Sequence, residues 1–146
     1  MTSILVLHGP NLNLLGTREP EVYGNATLSE YVNVVRTHAQ KHGLTVADVQ
    51  SNSEAALVDA IHSAKEQHQA IIINAGAFTH YSWAIHDALR SFTGLVVEVH
   101  ISNPAAREPW RHESVIAPVA IGSVAGFGGE SYSLGVEALV RHLEAK

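Results

Sequence analysis

The chain contains no cysteine, and that absence removes disulfides, thiolate metal sites and cysteine nucleophiles together. A cysteine-free chain suits a reducing cytoplasm, which is the expected location. Positive charge is also scarce: nine Lys and Arg stand against fourteen Asp and Glu, for a net charge of −5. General nucleic-acid affinity needs a basic face to displace counterions, so no nucleic-acid partner is expected. No window approaches the roughly 20 apolar residues of a membrane span. The amino terminus lacks the basic segment and long apolar stretch of a secretion signal. A soluble protein without a membrane partner is expected. There is no internal repeat, low-complexity tract or linker. What remains is 146 residues, 46% hydrophobic and 16% charged, expected to form a single domain over 1–146.

Apolar runs and helical periods alternate along that domain. Residues 4–7 read as a first strand. Thr27 and Glu30 have capping-box spacing, the apolar positions Leu28, Tyr31, Val32, Val35 and Ala39 follow, and Gly43 ends the helix. Residues 44–49 form a short second strand. Ser53 then caps a helix whose apolar face is Leu57, Ala60, Ile61 and Ala64. The uninterrupted run at 70–74 reads as a central parallel strand. A helix over 81–91, a strand at 95–99, a strand near 119–123 and a final helix carrying Leu134, Leu139, Val140 and Leu143 complete the chain. Five strands alternating with helices imply an α/β fold with a parallel sheet covered on both faces.

Three strand ends carry the polar residues. The first leads into 9–24, a loop with Asn11, Asn13, Arg18 and Tyr23 set between glycines and prolines. Ligands of open α/β sheets bind at the carboxyl ends of the strands. Tyrosine ionises near pH ~10, so roughly one in a thousand is phenolate at neutral pH. A guanidinium nearby favours the charged form, which makes Tyr23, five residues after Arg18, a candidate base. The third strand ends at Asn74 and continues through Gly76 to His80. The fourth ends in Glu98 and His100, two apart and on one face. A carboxylate beside a histidine holds its tautomer and supports the imidazolium, the arrangement of a general acid. Residues 102–118 are too long for an idle connection and bring Arg107, Arg111 and His112. One base and one acid in a crevice are what an elimination needs.

The motifs in order resemble the type II 3-dehydroquinate dehydratases. They are Gly9-Pro10-Asn11-Leu12-Asn13-Leu14-Leu15-Gly16, Arg18-Glu19-Pro20, Tyr23-Gly24, Asn74-Ala75-Gly76-Ala77, Thr79-His80, Asp87-Ala88-Leu89, Glu98-Val99-His100-Ile101-Ser102-Asn103, Arg107-Glu108 and Arg111-His112. Departures are mild: His8 stands where Asn is familiar, Pro104-Ala105 replaces a bulkier pair, and Trp110 a usual Phe. The resemblance implies a flavodoxin-like sheet of order 2-1-3-4-5. It implies dehydration of 3-dehydroquinate to 3-dehydroshikimate through an enolate, a shikimate-pathway step also used in quinate breakdown, with no metal or organic cofactor. Tyr23 would accept the proton beside the ketone, Arg18 would keep it ionised, and a water held by Asn11 would stabilise the enolate. His100 would protonate the departing hydroxyl, oriented by Glu98. Asn74, the Ile101 backbone and Ser102 would hold the carboxylate and the neighbouring hydroxyl, and His80 and Arg111 the ring hydroxyls. Asp87 would enter from a neighbouring subunit of a homo-oligomer, a dodecamer built from trimers.

Other readings fit the same sheet. A nucleotide or flavin-phosphate binding module would use the glycines of 9–16 or the late cluster at 126–129. That cluster lacks the dinucleotide fingerprint and any P-loop lysine, so a tight turn is expected there. A receiver-type regulator would need acids at the end of the first strand, where His8 and Asn11 stand instead. His38 and His42 are one helical turn apart, the separation of two metal ligands. No third ligand is evident from the sequence, and both are expected to be exposed.

Overall fold

Strands built from Ile, Val and Leu alone have no face suited to water, so they fold only if helices cover both sides. The computed structural model describes residues 3–145, so the ends of the expected 1–146 domain (1, 2 and 146) lie outside the described residues. Five parallel strands, β1 (Ser3–His8), β2 (Thr45–Gln50), β3 (Ala70–Asn74), β4 (Leu95–His100) and β5 (Gly122–Ala125), form one sheet in the order β2-β1-β3-β4-β5. This is the expected 2-1-3-4-5 order. The register sets His8 beside Asn74, and Ile73 beside Glu98.

The two-residue period of each strand divides its side chains between two cores. Ile4, Val6, Ile72, Val97 and Val99 pack beneath α2 (Leu28–Gln40) and α5 (Glu130–Glu144). Leu5, Leu7, Ile71, Ile73 and Val96 pack beneath α3 (Glu54–Gln67) and α4 (Trp83–Ser91). Truncating a central residue such as Ile72 to Ala costs about 2–5 kcal/mol. Three helices start on hydroxyl caps. Thr27 Oγ1 accepts the Glu30 N–H, Ser53 Oγ the Ala56 N–H and Ser82 Oγ the Ile85 N–H, each at 3.2 Å. Each cap contributes about 1 kcal/mol.

Four details differ from the sequence expectation. The last strand occupies Gly122–Ala125 rather than 119–123, because Val119 ends a 3₁₀ turn (Ala117–Val119) and packs with Ala120 against the α3/α4 core. The helix expected over 81–91 starts at Trp83, where Ser82 caps it, and Gly76–His80 is a separate 3₁₀ turn. Leu134 faces solvent at 45% exposure, while Tyr132, Val136, Leu139 and Val140 fill the inner face of α5. The loop over 9–24 contains α1 (Pro20–Tyr23), a single helical turn with Tyr23 at its end.

Candidate active site

The floor of the cleft is where β1 and β3 end together. Gly9 donates its N–H to the Asn74 carbonyl at 2.8 Å. Any Cβ at Gly9 would overlap the Ala75 carbonyl oxygen, so only glycine lets the loop leave the strand here. Asn74 is buried. Its Nδ2 donates to the Tyr132 hydroxyl at 3.1 Å, and its Oδ1 accepts the Gly76 N–H at 3.2 Å. The Tyr132 hydroxyl in turn donates to His8 Nδ1 at 3.2 Å. Burial holds His8 down at about 4, opposed in part by the charge of Asp48, so the ring is neutral. Burial pushes Tyr132 up, which keeps it a hydroxyl donor. This chain of hydrogen bonds fixes which way the Asn74 amide points.

The end of β4 supplies a second wall. Glu98 is 2% exposed and accepts three hydrogen bonds: from His100 Nε2 at 2.8 Å, Ser114 Oγ at 2.6 Å and Ser123 Oγ at 2.7 Å. Burial alone would raise its pKa. The hydrogen bond and charge of His100, with the two serine hydroxyls, outweigh burial and hold it below the usual carboxylate range. An ionised Glu98 therefore accepts a hydrogen bond from the Nε2–H of His100, which leaves Nδ1 for the cleft.

The third wall comes from the loop after β1. Tyr23 lies between two guanidiniums, with Arg18 Cζ 5.3 Å and Arg107 Cζ 5.2 Å from its ring centroid. Its backbone carbonyl accepts the Tyr31 hydroxyl at 3.2 Å. A Cβ on Gly129 would overlap the Tyr31 ring, so the start of α5 can close against α2 only through glycine. Asn11 adopts a left-handed φ of 68° and donates its N–H to Asn52 Oδ1 at 3.0 Å. The rim carries His80 and Arg111. His80 Nδ1 donates to the Glu113 carbonyl at 2.6 Å, and its pKa is lowered, chiefly by burial. The Arg111 guanidinium lies 3.9 Å from the Trp110 ring centroid and bonds Glu108 at 3.1 Å.

Asn11, Arg18, Tyr23, Asn74, His80, His100, Ile101, Ser102 and Arg111 line one cleft. Glu98 stands behind His100 and touches the cleft only through it. Asp87 is exposed on α4 and does not line the cleft of its own chain. The sequence places Arg107 only within the connection over 102–118; its position on the Tyr23 ring and its 3.0 Å hydrogen bond to Ser102 Oγ come from the fold. Ser114 and Ser123 lie 16 and 25 residues from Glu98, and no local pattern announces them.

Two further sequence features remain, and the turn expected at 126–129 is present. At 126–129 the Phe127 and Gly128 amides already bond Ser131 Oγ and the Ile101 carbonyl, at 3.1 and 3.0 Å. The segment is a turn, with positive φ at Gly126 and Gly128. His38 and His42 both meet Glu137 on α5, a contact that their spacing in the sequence does not reveal. His38 is half-buried rather than exposed.

Residues 2–140 match the model of the family described as dehydroquinase class II. The chain is 59% identical over 143 residues to a 3-dehydroquinate dehydratase of Ruegeria pomeroyi, covering 98% of this chain and 96% of that one. It is 54% identical to a protein of the same description from Trichodesmium erythraeum, with 97% and 95% covered. Among solved structures, a type II dehydroquinase of Butyrivibrio crossotus superposes with a TM-score of 0.92 at 43% identity, over 94% of this chain and 97% of that one. None of these supports a nucleotide or flavin-phosphate binding module.

Proposed function

The chain belongs to the class II dehydroquinase family, and from that premise we propose that Tyr23 and His100 are the base and the acid of its reaction. The activity is that of a hydro-lyase: 3-dehydroquinate loses water to give 3-dehydroshikimate.

Tyr23, as phenolate, takes the proton from the carbon beside the ketone. The electron pair moves onto the ketone oxygen as an enolate, and a water held by Asn11 donates to that oxygen. The enolate then reforms the carbonyl and expels the hydroxyl, which leaves as water after taking a proton from His100. Glu98 holds the imidazole in the required tautomer and supports its positive form. Proton return from Tyr23 to His100 through solvent resets the site.

Arg18 and Arg107 stabilise negative charge on the phenol oxygen. Asn74, the Ile101 backbone and Ser102 hold the substrate carboxylate and its neighbouring hydroxyl, and His80 and Arg111 hold ring hydroxyls. Three of nine cationic Lys and Arg residues gather here, which suits an anionic substrate bound by an acidic protein.

The observation that carries this reading is one cleft with Tyr23 flanked by guanidiniums and His100 2.8 Å from a buried carboxylate. The proposal extends to a single catalytic domain over 1–146, a cytoplasmic location, independence of metal and organic cofactors, and a dodecamer of trimers. Asp87 would reach a neighbour's cleft from α4, beside Tyr81 and Trp83, which are 57% and 62% exposed. An exposed aromatic pair of this kind fits a covered subunit face. Among the described residues no helix is long and apolar enough to cross a membrane.

The test follows the enone absorbance of the product from 3-dehydroquinate. Tyr23→Phe should lower kcat by at least about 10³-fold while leaving substrate binding largely intact, and His100→Ala by about 10³-fold. Near-normal turnover in Tyr23→Phe would overturn the base assignment.

A further inference from the structure

At the opposite end of the sheet from the cleft, α2 finishes at Gln40 and turns back toward β2. His38 lies in its last turn. His42 lies just beyond, in the turn closed by its own N–H on the Ala39 carbonyl at 2.9 Å. Both imidazoles point at Glu137 on α5. His38 Nε2 is 3.2 Å and His42 Nε2 3.5 Å from the same oxygen, Oε2, and all three ligand atoms lie within 4.8 Å of one another. Oε1 of the same carboxylate faces Arg141 Nε at 3.6 Å, and Oε2 is the oxygen turned to the histidines.

We propose that His38, His42 and Glu137 form a binding site for a divalent first-row transition-metal ion such as Zn²⁺, which ties the end of α2 to α5.

The distances are compatible with an ion shared by the three groups. Charge-assisted N–H···O bonds close to about 2.7–2.9 Å. Ligand atoms around a tetrahedral ion with bonds of about 2.0–2.1 Å stand about 3.3 Å apart. The two nitrogens sit at that wider spacing from one oxygen. Two imidazoles and one carboxylate form a donor set suited to Zn²⁺, Cu²⁺ or Ni²⁺ rather than to Mg²⁺ or Ca²⁺. Side-chain exposures of 30%, 31% and 36% leave an entry path and room for a water as fourth ligand. Both helices pack on the same core, through Val35 and Ala39 from α2 and Tyr132, Val136 and Leu139 from α5, so the ion would cross-link elements already in contact. None of the three residues lines the cleft, so the inference is independent of the catalytic reading.

The experiment titrates Zn²⁺ into the assembled, EDTA-dialysed protein at pH 7.5 against a competing colorimetric chelator, and records the visible spectrum with Co²⁺. One ion per chain should bind, and the Co²⁺ form should show the intense band of a tetrahedral site. His38→Gln, His42→Gln and Glu137→Gln should each weaken binding at least about tenfold and remove the band. His62→Gln, at an exposed histidine on α3, should change neither. Turnover of the three ligand variants should match the parent, which shows that they fold. Absence of stoichiometric Zn²⁺ binding by the parent would overturn the proposal, as would variants that bind as it does. If one variant does not fold, a parent Co²⁺ spectrum without the tetrahedral band overturns it equally.

Discussion

The two sides of the cleft are held by different means. The β4 side is strand-borne and buried: Glu98 is clamped by three hydrogen bonds of 2.6–2.8 Å, and its partner His100 has little freedom. The α1 side is loop-borne: Tyr23 sits on one helical turn, partly exposed, with two guanidiniums against its ring, its N–H on the Glu19 carbonyl and its carbonyl accepting the Tyr31 hydroxyl. The proposed general acid, His100, must hold one tautomer, and a rigid strand end provides that. The proposed base, Tyr23, lies between charged side chains from two separate loops, and such a site can be completed as those loops close on an anion. One site thus draws its preorganisation from the sheet and its adaptability from the connections.

The largest way to break that contrast is Glu98→Gln. An amide there cannot accept the His100 proton and its serine partners in the same pattern, so His100 loses its tautomer. We expect kcat to fall on the order of 10³-fold with a small change in KM. Steady-state kinetics decide it; a loss of only a few-fold would show that the strand side does not need its clamp.

The floor between the two sides is tested by acid. His8 stays neutral in the fold down to about 4, whereas the unfolded chain takes up this proton near 6.5. Its contribution to stability is therefore complete above pH 6.5, falls away between 6.5 and 4, and is flat below. The gap corresponds to about 3 kcal/mol. Denaturant midpoints measured from pH 7 to 4 should show that loss, and His8→Asn should flatten it. An equally steep fall in His8→Asn would assign the acid sensitivity elsewhere.

The smallest effect belongs to the loop side. Tyr31→Phe keeps the ring stacked near Tyr132, with centroids 6.0 Å apart in the parent, but removes the hydrogen bond to the Tyr23 carbonyl. Burial, with the charge of Glu30, keeps the Tyr31 hydroxyl neutral, so a neutral bond worth about 1 kcal/mol is lost. A drop of about fivefold in kcat/KM is expected. A drop as large as that of Glu98→Gln would mean that the loop is held as tightly as the strand.

Much of this site is legible in the chain because strand ends are legible. Apolar runs fix β1, β3 and β4, and the residues that follow each run must emerge at one edge of a parallel sheet. His100 and Glu98 can be paired because a two-residue spacing shares a face of a strand. The strand expected near 119–123 begins three residues later, since β5 is a short edge strand of small residues and the stronger apolar signal of Val119 belongs to a neighbouring turn. Leu134 lies outside the core because the leucines and valines of α5 fit more than one helical face, and only the packing against β4 selects Tyr132 and Val136.

Composition and periodicity by themselves determined the alternating α/β class, the carboxyl-edge location of the polar clusters and the Glu98–His100 pair. All of these rest on contacts between residues close in sequence or on a fixed backbone period. Only the tertiary structure decided that Arg107 joins Arg18 on Tyr23, that Ser114 and Ser123 clamp Glu98, that Tyr132 links Asn74 to His8, and that Glu137 meets His38 and His42. Each of those contacts joins segments between 16 and 124 residues apart. The physical reason is that a side chain's partners across the fold are set by helix packing and strand register, and no local spacing encodes them.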